Sequence, residues 1–214
     1  MIHQKSKIHV EKGGDLQPRA KIFLNLKKIA GIDEVGRGCL FGPVIASAVV
    51  LNKSTGKTLI KAGLKDSKKL TKVKIQELAP LIKEMASAWG LGQASAREID
   101  TFGIRLATER AMIRALHRLS EKPNLLLVDG VLPIRQWDGS QKTIPQGDNS
   151  EPSIAAASVI AKEYRDKLIM RIANEFPQYG LKKHVGYGTL FHRKAIKSFG
   201  PTRLHRLSFL KKIL

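Results

Sequence analysis

Cysteine is almost absent from this chain, and long apolar runs are absent altogether. Cys39 is the only cysteine among 214 residues, which excludes an intramolecular disulfide framework and a cysteine-rich zinc site. No run approaches the roughly 18 apolar residues that a membrane helix needs, and the polar N-terminus lacks the apolar core of a signal peptide. We therefore expect a cytoplasmic protein that has no membrane segment.

Acidic residues are also scarce. The 38 Lys and Arg outnumber the 18 Asp and Glu, which gives a formal net charge of +20, and residues 176–214 contain no acid at all. Tyr187, Phe191 and Phe199 are interleaved with the basic residues of this segment, a pattern that favours a nucleic-acid-binding surface over a merely solvated face. These basic residues are Lys182, Lys183, Arg193, Lys194, Lys197, Arg203, Arg206, Lys211 and Lys212.

Two adjacent acids, Asp33 and Glu34, end the first apolar strand that the sequence predicts. A glycine-rich turn (36–38) and a β-branched strand (43–51) follow, so the pair stands inside a hairpin. A solvated turn is the usual place for an Asp-Glu pair. Carboxylates clustered in a basic protein instead suit Mg²⁺ or Mn²⁺ beside a phosphate backbone, as in a nuclease. Because strand side chains alternate between faces, one of the two acids needs a bulge or a backbone carbonyl to reach a shared ion.

Further acids follow later in the chain. The apolar run 125–128 ends in Asp129 and has the character of a central strand that is covered on both faces. Asp148 precedes a long helix and, as an isolated motif, would more often be a capping acid than a functional one. Asp166 stands four residues after Lys162, so we assign it to a structural ion pair on that helix.

The remaining sequence pattern predicts alternating elements. We expect helices near 71–85 and 104–119, a strand near 88–95 and a loop over 131–146. Pro80 should kink or shorten the first of these helices, since it cannot donate a backbone hydrogen bond.

Six short motifs follow one another along the chain, namely DEVGRG (33–38), GPVIASAVVL (42–51), DSKKL (66–70), LLLVDG (125–130), GD with SIAAASVIAKEYRD (147–166) and HVGYGT (184–189). In this order they resemble the bacterial ribonuclease HII family over roughly residues 28–209. The resemblance implies an α/β, RNase H-like fold with a central mixed five-stranded sheet flanked by helices and a C-terminal helical segment. It divides the chain into a basic N-terminal extension (1–27), a catalytic domain (28–176) and a basic C-terminal helical segment (177–214) that contributes to substrate binding.

The resemblance also implies an activity. Members of this family are endonucleases that cleave the RNA strand of RNA–DNA hybrids and cut at single ribonucleotides embedded in duplex DNA. Catalysis and the binding of one or two Mn²⁺ or Mg²⁺ ions would fall to Asp33, Glu34, Asp129 and Asp148. Such a site supports metal-assisted hydrolysis that leaves a 5′-phosphate and a 3′-hydroxyl.

Substrate contacts follow from the same resemblance. Gly36, Arg37 and Gly38 match the element that contacts the ribonucleotide, and Tyr187 matches the tyrosine that senses its 2′-hydroxyl. Arg37 favours type HII, because the related type HIII enzymes carry a different residue there. Ser67, Lys68 and Lys69 of the DSKKL motif are expected to contact the substrate, although the two lysines would also suit a solvated loop.

Some features depart from the family pattern. Cys39 stands where proline is usual and Phe41 where a small residue is common. The C-terminus shows no clear clamp-binding peptide, so a sliding-clamp partner is not expected. We also expect the protein to be a monomer. Two alternatives remain open at this point. A non-catalytic RNA-binding protein explains the charge but not the acids, whereas another RNase H-like nuclease or recombinase explains the acids but needs no reader of a 2′-hydroxyl.

Overall fold

A computed structural model describes residues 28–120, 122–211 and 213–214, so the predicted N-terminal extension (1–27) lies outside the described residues. Its centre is one sheet with the spatial order β3-β2-β1-β4-β5. The strands are β1 (Ile29–Val35), β2 (Val44–Val50), β3 (Ala88–Ala94), β4 (Leu125–Asp129) and β5 (Gln141–Ile144). β2 is antiparallel to both β1 and β3, whereas β4 is parallel to β1 and β5. The expected mixed five-stranded sheet is confirmed.

Helices cover both faces of this sheet. They are α1 (Lys53–Lys61), α2 (Lys72–Met85), α3 (Ala96–Leu116), α4 (Pro152–Ile172), α5 (Leu181–His184), α6 (Leu190–Phe199) and α7 (Leu207–Leu210). Val44, Ala46 and Ala48 of β2 pack with α3, whereas Val49 packs with α2 and α4. This alternation buries every residue of β2. None of the described helices is long and apolar enough to cross a membrane.

The close approach of α4 to β1 depends on a glycine. A Cβ atom on Gly31 would lie 2.2 Å from the carbonyl carbon of Ser153 in the first turn of α4. Only a residue without a side chain permits this contact. The helix is therefore held against the strand that carries Asp33 and Glu34.

Several sequence predictions were wrong in detail. The polar strand β5 lies inside the segment predicted as a loop (131–146), and α1 was not predicted. The third helix begins at Ala96, before the predicted start at 104. A first helical piece precedes Gly103, whose non-helical φ of 76° separates it from the piece that was predicted. Pro80 does not shorten α2. Both Pro80 and Gln76, whose carbonyl loses its donor, are exposed, so water can satisfy that carbonyl.

The C-terminal segment shares a core with the loop that follows β1. Leu40 and Phe41 pack with Ile169 of α4, with Tyr179 and with Ile196 of α6. Residues at the end of the chain therefore help to fix the loop beside the acids of β1.

Candidate active site

The sheet order brings two acid-bearing strand ends together. β1 and β4 are adjacent and parallel, with Ile32 opposite Val128, so Asp33, Glu34 and Asp129 emerge at the same edge. Ligand sites of open α/β sheets commonly lie outside such carboxyl ends. Asp148 lies in a short 3₁₀ turn before α4, and the Gly147 N–H of that turn donates to Asp129 Oδ1 at 2.8 Å.

A cavity of 300 Å³ lies at this edge. It is lined by Asp33, Glu34, Val35, Gly36, Arg37, Gly38, Ser67, Lys68, Asp129, Ser158, Lys162 and Tyr187. The cavity brings together all the predicted site residues except Asp148 and Lys69. These two lie next to it, because Lys68 Nζ is 3.5 Å from Asp148 Oδ2 and Lys69 donates to Asn149.

The pleat of β1 continues through the acid pair. Asp33 and Glu34 keep a regular register against Ser47 and Ala46 of β2, so the strand has no bulge here. Asp33 lines the cavity together with Ser158 of α4. Glu34 lines a second cleft beside α3 in addition to the shared cavity. The two acids therefore approach one cavity from opposite faces of the sheet.

The carboxylates are electrostatically strained. Burial, followed by repulsion from Glu34 and Asp129, raises the pKa of Asp33 well above its usual range. Burial also raises the pKa of Glu34, despite a nearby guanidinium. The pKa of Asp148 is raised by burial and then by the charges of Asp129 and Asp66. Asp66, a buried acid of the DSKKL motif, was not among the predicted site residues.

Two cations lie among these acids. Arg37 Nη1 is 3.2 Å from Glu34 Oε1. Burial lowers the pKa of Lys68, but attraction to the surrounding acids, led by Asp148 and Asp33, outweighs it and raises the pKa.

The donor chemistry of the site fits a hard divalent ion. Asp148 Oδ2 is buried and makes no hydrogen bond within the described chain. Carboxylate oxygens are the ligands that Mg²⁺ and Mn²⁺ prefer. Across residues 28–120, 122–211 and 213–214, however, no three His, Cys, Asp or Glu side chains lie close enough together to hold an ion.

A buried arginine on the C-terminal segment supports the Gly-Arg-Gly turn. Arg206 is fully buried, and its Nη1 donates to the Arg37 carbonyl at 2.8 Å while its Nε donates to the Gly42 carbonyl at 3.0 Å. No carboxylate of the described chain pairs with it. Burial lowers the pKa of Arg206 to about 10, so it remains charged at neutral pH. The prediction that Arg206 belongs to a basic surface was therefore wrong.

A second buried arginine holds the segment that carries Tyr187. Arg165 of α4 donates to the carbonyls of Pro43, Val185 and Phe41 at 3.1, 2.8 and 3.0 Å. Cys39, at the unusual position after the Gly-Arg-Gly turn, is fully buried and forms an isolated β-bridge with Tyr187. The burial of Arg165 and Arg206 was not predicted from the sequence, because arginine is rarely buried without an acid.

A histidine network continues from Tyr187 into the C-terminal segment. The Thr202 N–H donates to His205 Nδ1 at 2.9 Å, so the proton of His205 is on Nε2. That nitrogen donates to His192 Nε2 at 3.1 Å, and His192 Nδ1 in turn donates to the Tyr187 carbonyl at 2.9 Å. Both imidazoles are therefore neutral, each in one defined tautomer.

His192 and His205 are expected to remain neutral down to about pH 4, since burial lowers the pKa of each from 6.5 to about 4. The unfolded chain takes up these protons more readily than the folded chain. The free energy of unfolding should therefore fall as the pH drops from about 6.5 to about 4, by up to about 3 kcal/mol per histidine. An NMR titration should show two imidazoles with midpoints near pH 4. Midpoints near 6.5 for both would contradict the burial of these two imidazoles.

A larger cavity borders the 300 Å³ cavity at Lys162. It measures 620 Å³, runs between α2 and α4, and is lined by residues such as Ile75, Tyr164 and Met170. None of the four predicted catalytic acids lines it. We assign the chemistry to the smaller cavity because only that one combines clustered carboxylates with the Gly-Arg-Gly turn.

The chain is similar to known proteins over most of its length. Residues 30–212 match the family model of ribonuclease HII. Ribonuclease HII from a strain of Prochlorococcus marinus is 61% identical over 184 residues, covering 86% of this chain and 96% of the relative. That of Synechococcus sp. (strain CC9311) is 61% identical over 185 residues, covering 86% and 94%.

A solved structure extends the comparison to the fold. The crystal structure of ribonuclease H2 from Pyrococcus horikoshii OT3 superposes with a TM-score of 0.74 at 25% identity, covering 87% of this chain and 96% of that one. The fold is therefore RNase H-like, and the alternative of a non-catalytic RNA-binding protein is set aside. The chain belongs to the ribonuclease HII family and is an endoribonuclease.

Proposed function

We propose that this enzyme cleaves the RNA strand of RNA–DNA hybrids and cuts at single ribonucleotides embedded in duplex DNA. The observation that carries the proposal is the single 300 Å³ cavity in which Asp33, Glu34 and Asp129 meet the Gly-Arg-Gly turn and Tyr187. Carboxylates supply the hydrolytic chemistry, and the turn with the tyrosine supplies contacts to the ribose. A DNA-only nuclease would need the first group but not the second.

Asp33, Glu34, Asp129 and Asp148 would hold one or two Mg²⁺ or Mn²⁺ ions. When bound, such ions activate a water for in-line attack on phosphorus and stabilise the leaving 3′-oxygen, which leaves 5′-phosphate and 3′-hydroxyl ends. The raised pKa values of Asp33, Glu34 and Asp148 reflect burial first, with repulsion from neighbouring acids adding to it, so a bound cation would favour their ionised forms. Gly147 orients Asp129 through its backbone N–H, which keeps one carboxylate oxygen free.

Recognition of the ribose would come from the two backbone segments that the buried arginines hold. Gly36 has φ 88°, a conformation that favours glycine, and the next two residues of the turn, Arg37 and Gly38, are exposed and line the cavity. The hydroxyl of Tyr187 can both donate to and accept from a 2′-hydroxyl. Lys68, whose side chain is 78% exposed, is free to contact a substrate phosphate as well as Asp148.

Three duplexes test this proposal directly. Purified protein is incubated with an RNA–DNA hybrid, with a DNA duplex that holds one ribonucleotide, and with the matching all-DNA duplex, each with and without Mg²⁺ or Mn²⁺. We expect cutting of the first two only, in the presence of metal, with 5′-phosphate and 3′-hydroxyl ends. Efficient cutting of the all-DNA duplex, or 2′,3′-cyclic phosphate ends, would refute the proposed substrate or chemistry.

Replacing Tyr187 by phenylalanine tests ribose sensing. The change removes one hydroxyl and keeps the ring, so we expect the rate at a single embedded ribonucleotide to fall roughly tenfold, the worth of about one hydrogen bond. The dissociation constant should change much less, because phosphate contacts provide most of the affinity. Tyr164→Phe, on the distant face of α4, is the matched control. An unchanged rate and cut position in Tyr187→Phe would remove this residue from the ribose contacts.

A further inference from the structure

A second cleft joins the catalytic cavity on the α3 side of the sheet. It measures 350 Å³ and shares Glu34, Arg37 and Asp129 with the cavity already described. Its far wall is formed by α3 and by the loop 130–134 that follows β4. A polymer whose scissile phosphate lies at Asp129 could therefore continue into this cleft without leaving the protein surface.

Arg105 and the buried acid Glu109 line the cleft, and Arg135, which follows the lining residue Ile134, contacts the same acid. The side chain of Glu109 is only 7% exposed. Arg105 Nε lies 3.1 Å from Glu109 Oε1, and Arg135 Nε lies 3.0 Å from Oε2. Two guanidinium groups beside one carboxylate leave a net charge of +1. One arginine is enough to neutralise Glu109, so the second adds positive charge to the cleft.

The terminal N–H groups of both arginines are available to a ligand. Each contacts Glu109 through Nε alone, and no group of the described chain accepts a hydrogen bond from the terminal nitrogens of either. Their side chains are 46% and 54% exposed. Fixing a guanidinium by Nε leaves its outer N–H groups oriented as a fork, the geometry that recognises phosphate oxygens.

We propose that Arg105 and Arg135, held by Glu109, form a subsite for a backbone phosphate of the substrate strand next to the scissile phosphate. The inference rests on the proposed function, because it takes the strand cut at Asp129 to be the one that continues past Arg37. Exposed Val131 and Leu132 flank the cleft, with exposed fractions of 68% and 50%, and offer apolar contacts to the sugars between phosphates. A purely structural ion pair would need neither the second arginine nor the free donors.

The test uses Arg105→Gln and Arg135→Gln separately in the full chain. Each variant leaves Glu109 with one arginine, so the buried acid is not orphaned. Lys53→Gln is the matched control, since Lys53 is exposed and lies beyond the end of β2 that is remote from the acids. Circular dichroism checks the fold, and Arg105→Lys and Arg135→Lys, which keep the charge but lose the fork, replace any glutamine variant that fails to fold.

Binding is measured without divalent ions on a DNA duplex that holds one ribonucleotide. We expect each glutamine variant to weaken binding roughly fivefold and to reduce the slope of log affinity against log salt by about 0.9, the value for one phosphate. A series of duplexes, each with one methylphosphonate in the ribonucleotide strand, then locates the contact. One position near the ribonucleotide should weaken wild-type binding but have little effect on the variants.

Variants that match Lys53→Gln in affinity and salt slope would overturn the subsite, as would equal sensitivity of wild type and variants at every methylphosphonate position. Because binding is measured without metal, this result is independent of cleavage. Suppose that wild-type binding is weakened by one methylphosphonate position and the variants are not, but that the wild type cuts neither the hybrid nor the ribonucleotide-containing DNA. This result would refute the proposed function and support the subsite. Cleavage of these substrates, with no methylphosphonate position that distinguishes wild type from the variants, would support the proposed function and refute the subsite.

Discussion

Asp129→Asn and Asp33→Asn are each expected to lower the cleavage rate by on the order of 10²–10³, because each removes a charge that stabilises the transition state through a bound ion. Neither change should unfold the protein. The pKa of Asp33 is raised by burial and by neighbouring acids, so its ionised form opposes folding at neutral pH. Asp33→Asn removes that cost, and the metal-free variant should have an equal or higher melting temperature than wild type.

The measurement is therefore of both the cleavage rate and the melting temperature of each variant, since Asp33→Asn should lower the first without lowering the second. Asp138→Asn is the control, since Asp138 is exposed and pairs only with Lys122. The control should keep the wild-type rate and melting temperature. Mn²⁺ should raise the melting temperature of wild type and of the control, as any ligand of the folded state does, but should raise that of Asp129→Asn far less. A folded Asp129→Asn enzyme with a near wild-type rate would show that the acids were assigned wrongly.

Arg206→Met is expected to reduce cleavage by about 10²-fold although Arg206 lies outside the catalytic cavity, because a displacement of about 1 Å in a positioning element can have this effect. The change removes the donors to the Arg37 and Gly42 carbonyls. The free energy of unfolding should fall by about 3 kcal/mol, the loss of two charge-assisted hydrogen bonds offset by removal of a buried charge.

Arg203→Met is the matched control for this prediction. Arg203 lies in the same segment and is exposed, so it loses the same charge without losing a buried contact. Steady-state kinetics should show a lower kcat for Arg206→Met with little change in the dissociation constant. Arg206→Lys keeps the charge but cannot donate to both carbonyls in the same geometry. Its kcat should lie between those of Arg206→Met and Arg203→Met. Wild-type kinetics for Arg206→Met would remove it from the positioning of the Gly-Arg-Gly turn.

The strands that carry the acids could be predicted from the sequence, because their signals are local. Continuous apolar runs that end in an acid and a glycine predicted β1 and β4, and their parallel pairing brings Asp33 and Asp129 together. β5 escaped because Gln141–Ile144 is a short polar strand at the edge of the sheet, with neither an apolar run nor a clear alternation. The early part of α3 escaped because Gly103 interrupts its helical pattern.

The parts of the site that sequence could not supply depend on distant contacts. Arg206 contacts the carbonyl of Arg37, a residue 169 positions earlier, and no local pattern indicates that partner. The basic composition of residues 176–214 predicts that all of the basic side chains are exposed, whereas Arg206 is fully buried. The subsite of Arg105 and Arg135 likewise becomes visible only when α3 and the loop after β4 meet over Glu109.

The most direct measurement is anomalous diffraction from crystals of the enzyme soaked in Mn²⁺. We expect at least one Mn²⁺ peak in contact with the carboxylates of Asp33 and Asp129, and its loss in crystals of Asp129→Asn. A Mn²⁺-activated enzyme whose ions bind away from Asp33, Glu34, Asp129 and Asp148 would contradict the assigned metal site.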